Sequence, residues 1–187
     1  MSRPCPSSKV LLPATVAIIG AGPLGRWLAL SAARAGYSVL LEDVMPANLH
    51  HAREALRQQL GPEALPAVAF VSTIEDAVRN ADLAIDCVPD ELESKLEILW
   101  LLDRMAPPRT VLATPTTRLS IIDLAACTYR AAQCVAIAAE ASTLSGSAAS
   151  EITLRTTPQT TPETIALVQA FWQRLGFTPR FESDPSV

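Results

Sequence analysis

The sequence is poor in charged and aromatic side chains, and these shortages exclude several classes of function. Charged residues make up 18% of the 187 residues, the net charge is −4, and lysine and arginine form no cluster. Nucleic acids and anionic membrane surfaces bind basic patches, so neither is an expected partner. No apolar run reaches 18 residues without a charge, a proline or a glycine, so no membrane span is predicted.

The four cysteines and two histidines do not form a metal-binding pattern. No two cysteines have C-x-x-C spacing, and the two histidines, His50 and His51, are adjacent. Zinc sites need ligands at short, defined spacings. No metal site is therefore predicted, and the cysteines are interpreted as free thiols: Cys5, Cys87, Cys127 and Cys134.

What the sequence does contain is apolar residues, which make up 49% of the chain and exclude disorder. Short apolar runs alternate with helical patterns, which is typical of a parallel sheet covered by helices. The predicted fold class is α/β, with a Rossmann-type, doubly wound, mostly parallel sheet and helices on both faces. Residues 1–13 are predicted to be a tail and residues 14–187 a single domain, and a cytoplasmic location is expected.

The same patterns predict the individual elements. Helix starts are marked by hydroxyl caps at Ser120 and Thr161. A loop of small residues is predicted at 142–150. Strands are predicted at 16–19, 38–42, 68–71, 83–88, 110–113, 134–139, 151–156 and 178–182, and helices at 24–35, 48–60, 74–80, 91–105, from 120 onward and at 161–176.

A glycine-rich turn, Gly20-Ala-Gly22-Pro-Leu-Gly25, connects the first predicted strand to the first predicted helix. In a dinucleotide-binding turn the first glycine permits the tight bend and the second lets a pyrophosphate approach the backbone. The third glycine lets the helix lie close to the strand. The phosphate then meets the free N–H groups at the helix N-terminus. Gly20, Gly22, Pro23, Leu24 and Gly25 are therefore candidate cofactor-binding residues.

Asp43 lies 23 residues after Gly20, at the end of the second predicted strand. A carboxylate there accepts hydrogen bonds from an adenosine ribose. No arginine follows it immediately to bind a 2′-phosphate, so NAD is favoured over NADP. Two alternatives remain open on the residues alone. The glycines form a tight turn without a ligand, or, with Glu42 nearby, the turn binds a flavin.

Two segments of the chain resemble the NAD-binding domain of 3-hydroxyacyl-CoA dehydrogenases. The first, VAIIGAGPLGRWLALSAARAGYSVLLEDV, has the GAG-x-x-G turn and an acidic end to strand two. The second, ADLAIDCVPDELESKLEILWLLDRMAPPRTVLATPTTRLSIIDLA, follows the family pattern of strand, lysine, strand and Asn-Thr-Ser-type turn. The resemblance extends from about residue 14 to 183 and weakens after residue 125.

The resemblance implies roles for individual residues. Asp43 would hold the adenosine ribose, while Cys87 and Asp90 would line the path of the cofactor after the fourth strand. Lys95 matches a family lysine on the cofactor side of the cleft; an alternative is that Asp90 and Lys95 form a solvated pair at a helix start. Thr117 lies where the family has a serine near the substrate and the nicotinamide.

The chain departs from the family at the catalytic positions. Ala138 stands where the family has its general base, a histidine, and no histidine follows residue 51. Pro115 replaces a family asparagine. Glu151 matches the glutamate that orients the histidine only after a shift of one residue, and Glu140 is another nearby carboxylate. Thr117 and Glu151 are therefore the weak catalytic candidates.

The resemblance implies an NAD(H)-binding protein of 3-hydroxyacyl-CoA dehydrogenase type, from an oxidoreductase family of fatty-acid or hydroxyacyl metabolism. Because Ala138 replaces the base, the chain is predicted to be impaired or inactive alone as a dehydrogenase. Its partners would be the dinucleotide, an acyl-CoA or small hydroxy acid, and a second copy in a homodimer. The alternative is a non-catalytic NAD-sensing or scaffold module acting through a partner. Trp27 is interpreted either as a core residue or as a residue at the cofactor mouth or a subunit contact.

Overall fold

The computed structural model describes residues 14–139 and 151–184, apart from the side chains of residues 62–64. The predicted tail, the predicted loop at 142–150 and Glu140 lie outside the described residues. Strands and helices alternate along the chain, and the elements in chain order are β1 (Thr15–Ile19), α1 (Pro23–Arg34), β2 (Ser38–Glu42), α2 (Pro46–Ala64), β3 (Val68–Val71), α3 (Ile74–Val78), β4 (Leu83–Asp86), α4 (Leu92–Met105), β5 (Val111–Pro115), α5 (Ile121–Ala125), β6 (Cys134–Ile137), β7 (Glu151–Thr156), α6 (Pro162–Arg174) and β8 (Thr178–Ser183).

The strands form one sheet of eight strands in the order β3-β2-β1-β4-β5-β6-β7-β8. Every neighbouring pair is parallel except β6 and β7, which run antiparallel. The predicted Rossmann-type, mostly parallel sheet is therefore confirmed. The central strands β1, β4, β5 and β6 are mostly apolar and, apart from the half-buried Thr15, buried along their whole length, because helices cover both of their faces.

Two apolar cores lie on opposite faces of this sheet. On one face α1, α2 and α6 pack, with Leu28, Leu56 and Phe171 fully buried. On the other face α3, α4 and α5 pack, with Leu99 and Leu124 fully buried. This doubly wound arrangement leaves the carboxyl ends of the strands uncovered at one edge, which is where such folds bind ligands.

The element ends show which local signals the sequence carries. Both predicted hydroxyl caps are present: Ser120 Oγ accepts from the Asp123 N–H at 3.4 Å, and Thr161 Oγ1 accepts from the Thr164 N–H at 3.3 Å. The helix predicted to stop at residue 60 loses its helical backbone at Gly61, where φ is +71°. No helix within the described ranges is long and apolar enough to cross a membrane.

Strands β4 and β6 end two residues earlier than predicted. The predictions extended them to residues 88 and 139, whereas the ladders end at Asp86 and Ile137. Beyond these ends one backbone hydrogen bond continues in each case, from the Cys87 N–H to the Ile19 carbonyl oxygen and from the Ala138 N–H to the Thr153 carbonyl oxygen. An apolar pattern does not show where a regular ladder stops. This difference matters for the site, because both shortened segments contribute to it.

Candidate functional site: a cleft at the carboxyl edge of the sheet

A cleft of about 750 Å³ opens at the carboxyl edge of the central strands. The segments that follow β1, β2, β4, β5 and β6 all contribute to its wall, so it crosses the point where the strand order reverses. Its lining residues are Gly20, Gly22, Pro23, Leu24, Asp43, Asn48, Cys87, Val88, Pro89, Asp90, Pro115, Thr116, Thr117, Arg118 and Ala139.

The glycine turn forms one wall, and each of its glycines meets a different spatial demand. Gly20 has φ +105°, and a Cβ there would lie 3.2 Å from the Cys87 carbonyl oxygen. A Cβ on Gly25 would lie 1.8 Å from the Gly20 carbonyl oxygen, so only glycine lets α1 come this close to β1. A Cβ on Gly22 would meet no atom within 4 Å. Gly22 thus leaves open space beside the backbone, as a bound pyrophosphate requires.

The start of α1 keeps hydrogen-bond donors free for an anion. Gly22 is the cap residue and supplies no side-chain acceptor to the first turn. Pro23 occupies the first helical position, where its missing N–H removes one donor. The Arg26 N–H donates to the Gly22 carbonyl oxygen at 3.0 Å, which leaves the Leu24 and Gly25 N–H groups without an acceptor in the helix. Together with the positive end of the helix dipole, these two donors fit a phosphate group.

Asp43 connects the end of β2 to the glycine turn. Its Oδ2 accepts from the Ala21 N–H at 2.9 Å, and its Oδ1 accepts from the Met45 N–H at 2.8 Å. The side-chain amide of Asn48 donates to both carboxylate oxygens at 3.1 Å. Asn48 is exposed and lines the cleft beside Asp43. Sequence reasoning missed Asn48 because asparagine in the first turn of a helix has many ordinary roles.

Glu42, beside Asp43, is a second buried carboxyl group and lies outside the lining of the cleft. The residue is 5% exposed to solvent. Burial, together with the charge of Asp43, raises the pKa of its carboxyl group to about 7. Its backbone carbonyl accepts from the Gly20 N–H at 2.8 Å. The carboxyl group is therefore substantially protonated at neutral pH, and the glycine turn lies next to a group that titrates there.

Replacing Glu42 with glutamine is expected to flatten the dependence of stability on pH. The folded-state pKa exceeds the ordinary value of 4.5, so the native protein binds the proton more tightly than the unfolded chain. The free energy of unfolding should thus fall as the pH rises from about 4.5 to about 7. The free energy of unfolding of Glu42→Gln should exceed that of the wild type by roughly 1–3 kcal/mol near pH 8 and differ little from it near pH 4.

Urea denaturation across this pH range measures the effect. The exposed Glu97 provides the matched control, since Glu97→Gln removes the same charge from a solvated position. An equal pH dependence in the wild type and Glu42→Gln would contradict the raised pKa.

The opposite wall of the cleft is formed by the loops after β4 and β5, which are joined by hydrogen bonds. The Thr117 N–H donates to Asp90 Oδ2 at 3.2 Å, and Arg118 Nη2 donates to the Asp90 carbonyl oxygen at 3.1 Å. The residues after β4 and after β5 are thereby held together across the sheet edge. Cys87 also lines this wall, and burial raises the pKa of its thiol far above the ordinary value, so the group stays neutral.

Lys95 lies below this wall and does not line the cleft. Its Nζ is 3.1 Å from Asp86 Oδ2, and both side chains are fully buried. Lys95 Nζ also donates to the Val88 carbonyl oxygen at 3.2 Å, while Asp86 accepts from the Val88 N–H at 2.9 Å and from the Thr114 hydroxyl at 2.9 Å. Burial raises the pKa of Asp86, and these donors oppose that shift. Lys95 was predicted on the cofactor side of the cleft, with a solvated pair of Asp90 and Lys95 as the alternative; instead it pairs with Asp86 beneath the wall.

The two weak catalytic candidates lie in different environments. Thr117 is exposed on the cleft wall. Glu151 begins β7 with its side chain 54% exposed and accepts from Arg180 at 2.7 Å on the protein surface, away from the lining residues. Ala138 follows β6 and donates its N–H to the Thr153 carbonyl oxygen at 2.9 Å. Its neighbour Ala139 contributes to the cleft wall.

Trp27 also lies outside the cleft lining. Its ring meets the ring of Phe177 edge to face, with 5.9 Å between centroids, and it packs against the core formed by α1, α2 and α6. This placement favours the core interpretation over a position at the cofactor mouth. Tryptophan fluorescence from Trp27 is therefore a poor reporter of ligand binding, and calorimetry is the better method.

Comparison with known proteins places this geometry in a family. Residues 15–180 match the family described as 3-hydroxyacyl-CoA dehydrogenase, NAD binding domain. A probable 3-hydroxybutyryl-CoA dehydrogenase of Bacillus subtilis is 31% identical over 128 residues, which cover 62% of this chain and 44% of that protein. L-carnitine dehydrogenase of Burkholderia mallei is 36% identical over 131 residues, covering 65% of this chain and 40% of that protein.

Solved structures agree on the fold. The crystal structure of (S)-3-hydroxybutyryl-CoA dehydrogenase from Ralstonia eutropha superposes with a TM-score of 0.83 at 24% identity, covering 91% of this chain and 64% of that one. The chain therefore spans less than half the length of the two curated relatives and about two thirds of this structure.

Proposed function

Since the chain belongs to the family of 3-hydroxyacyl-CoA dehydrogenase NAD-binding domains and its cofactor is NAD, we propose that it binds NAD(H) in the 750 Å³ cleft without completing the dehydrogenation alone. The residues present fit the cofactor. Gly22 leaves space for the pyrophosphate, the start of α1 offers N–H donors, and Asp43 offers a carboxylate. When bound, NAD accepts or supplies the hydride; the chain's own residues must handle the proton.

The observation that carries the proposal is the pair of alanines after β6. Dehydrogenation of an alcohol needs a group that accepts the hydroxyl proton near the working pH. The resemblance places that group at Ala138, and the adjacent Ala139 lines the cleft. Neither methyl group accepts a proton. Pro115, where the family has an asparagine, also lines the cleft and offers no side-chain hydrogen bond.

The other lining residues do not replace the missing base. Cys87 keeps its proton because burial raises the pKa of its thiol. Thr117 has a hydroxyl that does not ionise near neutral pH. Asp90 already accepts the Thr117 N–H through Oδ2, and its Oδ1, which has no hydrogen-bond partner within the described part of the chain, is shielded from the solvent to which a base must pass its proton. Asp43 lies after β2, at the end of the cleft assigned to the adenosine.

The experiment compares cofactor binding with turnover on the same protein. We expect saturable NADH binding by calorimetry and no NADH oxidation with acetoacetyl-CoA above the background without protein. An active 3-hydroxybutyryl-CoA dehydrogenase serves as the positive control. Turnover by the wild type that Asp90→Asn or Thr117→Ala removes would contradict the proposal and identify the base.

A histidine introduced after β6 separates two reasons for inactivity. Ala138→His follows the position given by the family resemblance, and Ala139→His is the matched variant on the cleft wall. NADH oxidation by either variant, with NADH affinity unchanged, would assign the inactivity to the missing base. No gain in either would assign it to an acyl-CoA site that this chain does not form alone.

A further inference from the structure

The end of the cleft away from Asp43 carries one cation, Arg118, beside one carboxylate, Asp90. The lining residues follow the strands in the order of the sheet, from Asp43 after β2 to Ala139 after β6. Because Asp43 marks the adenosine end of a bound dinucleotide, the nicotinamide end lies over the residues after β4, β5 and β6. Arg118 is the only cation among the lining residues of the cleft, and it lies at this second end.

The charge of Arg118 has no carboxylate partner among the described residues. Its one hydrogen bond there is to the Asp90 carbonyl oxygen, a neutral acceptor, at 3.1 Å. The Asp90 carboxylate is turned to the Thr117 N–H instead. None of the eight ion pairs in the described ranges includes Arg118. The exposed guanidinium thus keeps its remaining N–H donors and its charge for a ligand.

The backbone that carries Arg118 is held on both sides. Arg155 donates from Nη2 to the Thr116 carbonyl oxygen at 2.7 Å, and Thr116 Oγ1 accepts from the Leu119 N–H at 3.0 Å. Arg155 is itself neutralised by Asp184 at 3.2 Å, so it does not compete with Arg118 for an anion. A fixed backbone lowers the ordering cost of binding at this position.

We infer that Arg118 and the Thr117 hydroxyl form a subsite for the carboxylate of a small organic acid, next to the nicotinamide end of the cofactor. A guanidinium offers parallel N–H donors that match the two oxygens of a carboxylate. A thioester or an ester is neutral and therefore forms no ion pair with the guanidinium. The second ligand of the cleft is therefore a free acid anion. This inference rests on the proposed function, since the cofactor occupies the other end of the cleft.

Calorimetry on the NADH-saturated protein tests the subsite. The titrants are acetoacetate and methyl acetoacetate, which have the same carbon skeleton but differ in charge, and coenzyme A, which supplies phosphate groups. We expect acetoacetate to bind and the ester to show no saturable binding. The substitution Arg118→Ser should weaken the binding of acetoacetate at least tenfold and change the affinity for NADH less than twofold. Arg57→Ser removes a charge from the exposed face of α2 and should leave both affinities unchanged.

The other outcomes overturn the inference in distinguishable ways. Equal binding of the ester, or of acetoacetate to Arg118→Ser, would show that the guanidinium does not bind the carboxylate. If coenzyme A bound in a way that depends on Arg118 and acetoacetate did not bind, Arg118 would be a phosphate-binding residue. A loss of NADH affinity in Arg118→Ser would assign it to the cofactor. Failure of the wild type to bind NADH would refute the proposed function itself, and the inference with it.

Discussion

Lys95→Met is expected to lower the free energy of unfolding by about 3–5 kcal/mol, because it leaves the carboxylate of Asp86 buried without its cation. Both side chains are fully buried and lie 3.1 Å apart. Methionine has a similar length and no charge, so the loss does not come from an empty cavity. The same substitution frees the Val88 carbonyl oxygen, to which Lys95 also donates. The loop that lines the cleft after β4 should therefore loosen.

Chemical denaturation of the single and double variants separates charge burial from packing. Asp86→Leu combined with Lys95→Met removes both charges and is expected to recover most of the lost stability. NADH affinity gives the second readout: it should remain weakened in the double variant, because Val88 keeps neither of its two side-chain partners. A loss below about 1 kcal/mol in Lys95→Met would place the pair in contact with water.

Gly25→Ala is expected to weaken NADH binding about 100-fold, which corresponds to ~2.7 kcal/mol. A methyl group at this position would lie 1.8 Å from the Gly20 carbonyl oxygen, so the glycine turn must open or α1 must move away from β1. Overpacking of this kind also lowers the free energy of unfolding by about 1–3 kcal/mol. The variant should thus lose affinity and stability together.

Gly22→Ala is the matched control for the glycine turn. A Cβ at Gly22 meets no protein atom within 4 Å, and its φ of −65° suits any residue, so the free energy of unfolding should change by less than about 0.5 kcal/mol. The added methyl group enters the cleft, so NADH affinity should fall about tenfold. Thermal unfolding and calorimetry on both variants measure the contrast. Unchanged NADH affinity in Gly22→Ala would place the pyrophosphate elsewhere.

Local patterns in the sequence predict much of the fold. Strands β1 to β6 follow from short apolar runs, and the glycine turn follows the first of these runs. Ser120 and Thr161 mark helix starts because a hydroxyl in the cap position satisfies an N–H that the helix cannot. These signals act over a few residues, so no knowledge of distant contacts is needed to use them.

Side-chain direction at the site is less predictable, because it depends on contacts between distant segments. Lys95 and Asp90 are five residues apart and look like a surface pair, yet Lys95 turns inward to Asp86 at the end of β4. Arg118 reaches the cleft because Asp90, 28 residues earlier, offers its carbonyl oxygen. Asn48 lines the cleft because Asp43 holds its amide. No periodic pattern carries these three placements.

A calorimetric titration of the wild-type chain with NADH, NADPH and FAD tests most directly whether the cleft is an NAD(H) site. We expect saturable binding of NADH at one site. NADPH should bind at least tenfold more weakly, because the carboxylate of Asp43 repels a 2′-phosphate and the residues after it, Val44 and Met45, supply no cation. FAD should give no saturable heat. Absence of NADH binding, or tighter binding of FAD than of NADH, would contradict the proposal that the cleft binds NAD(H).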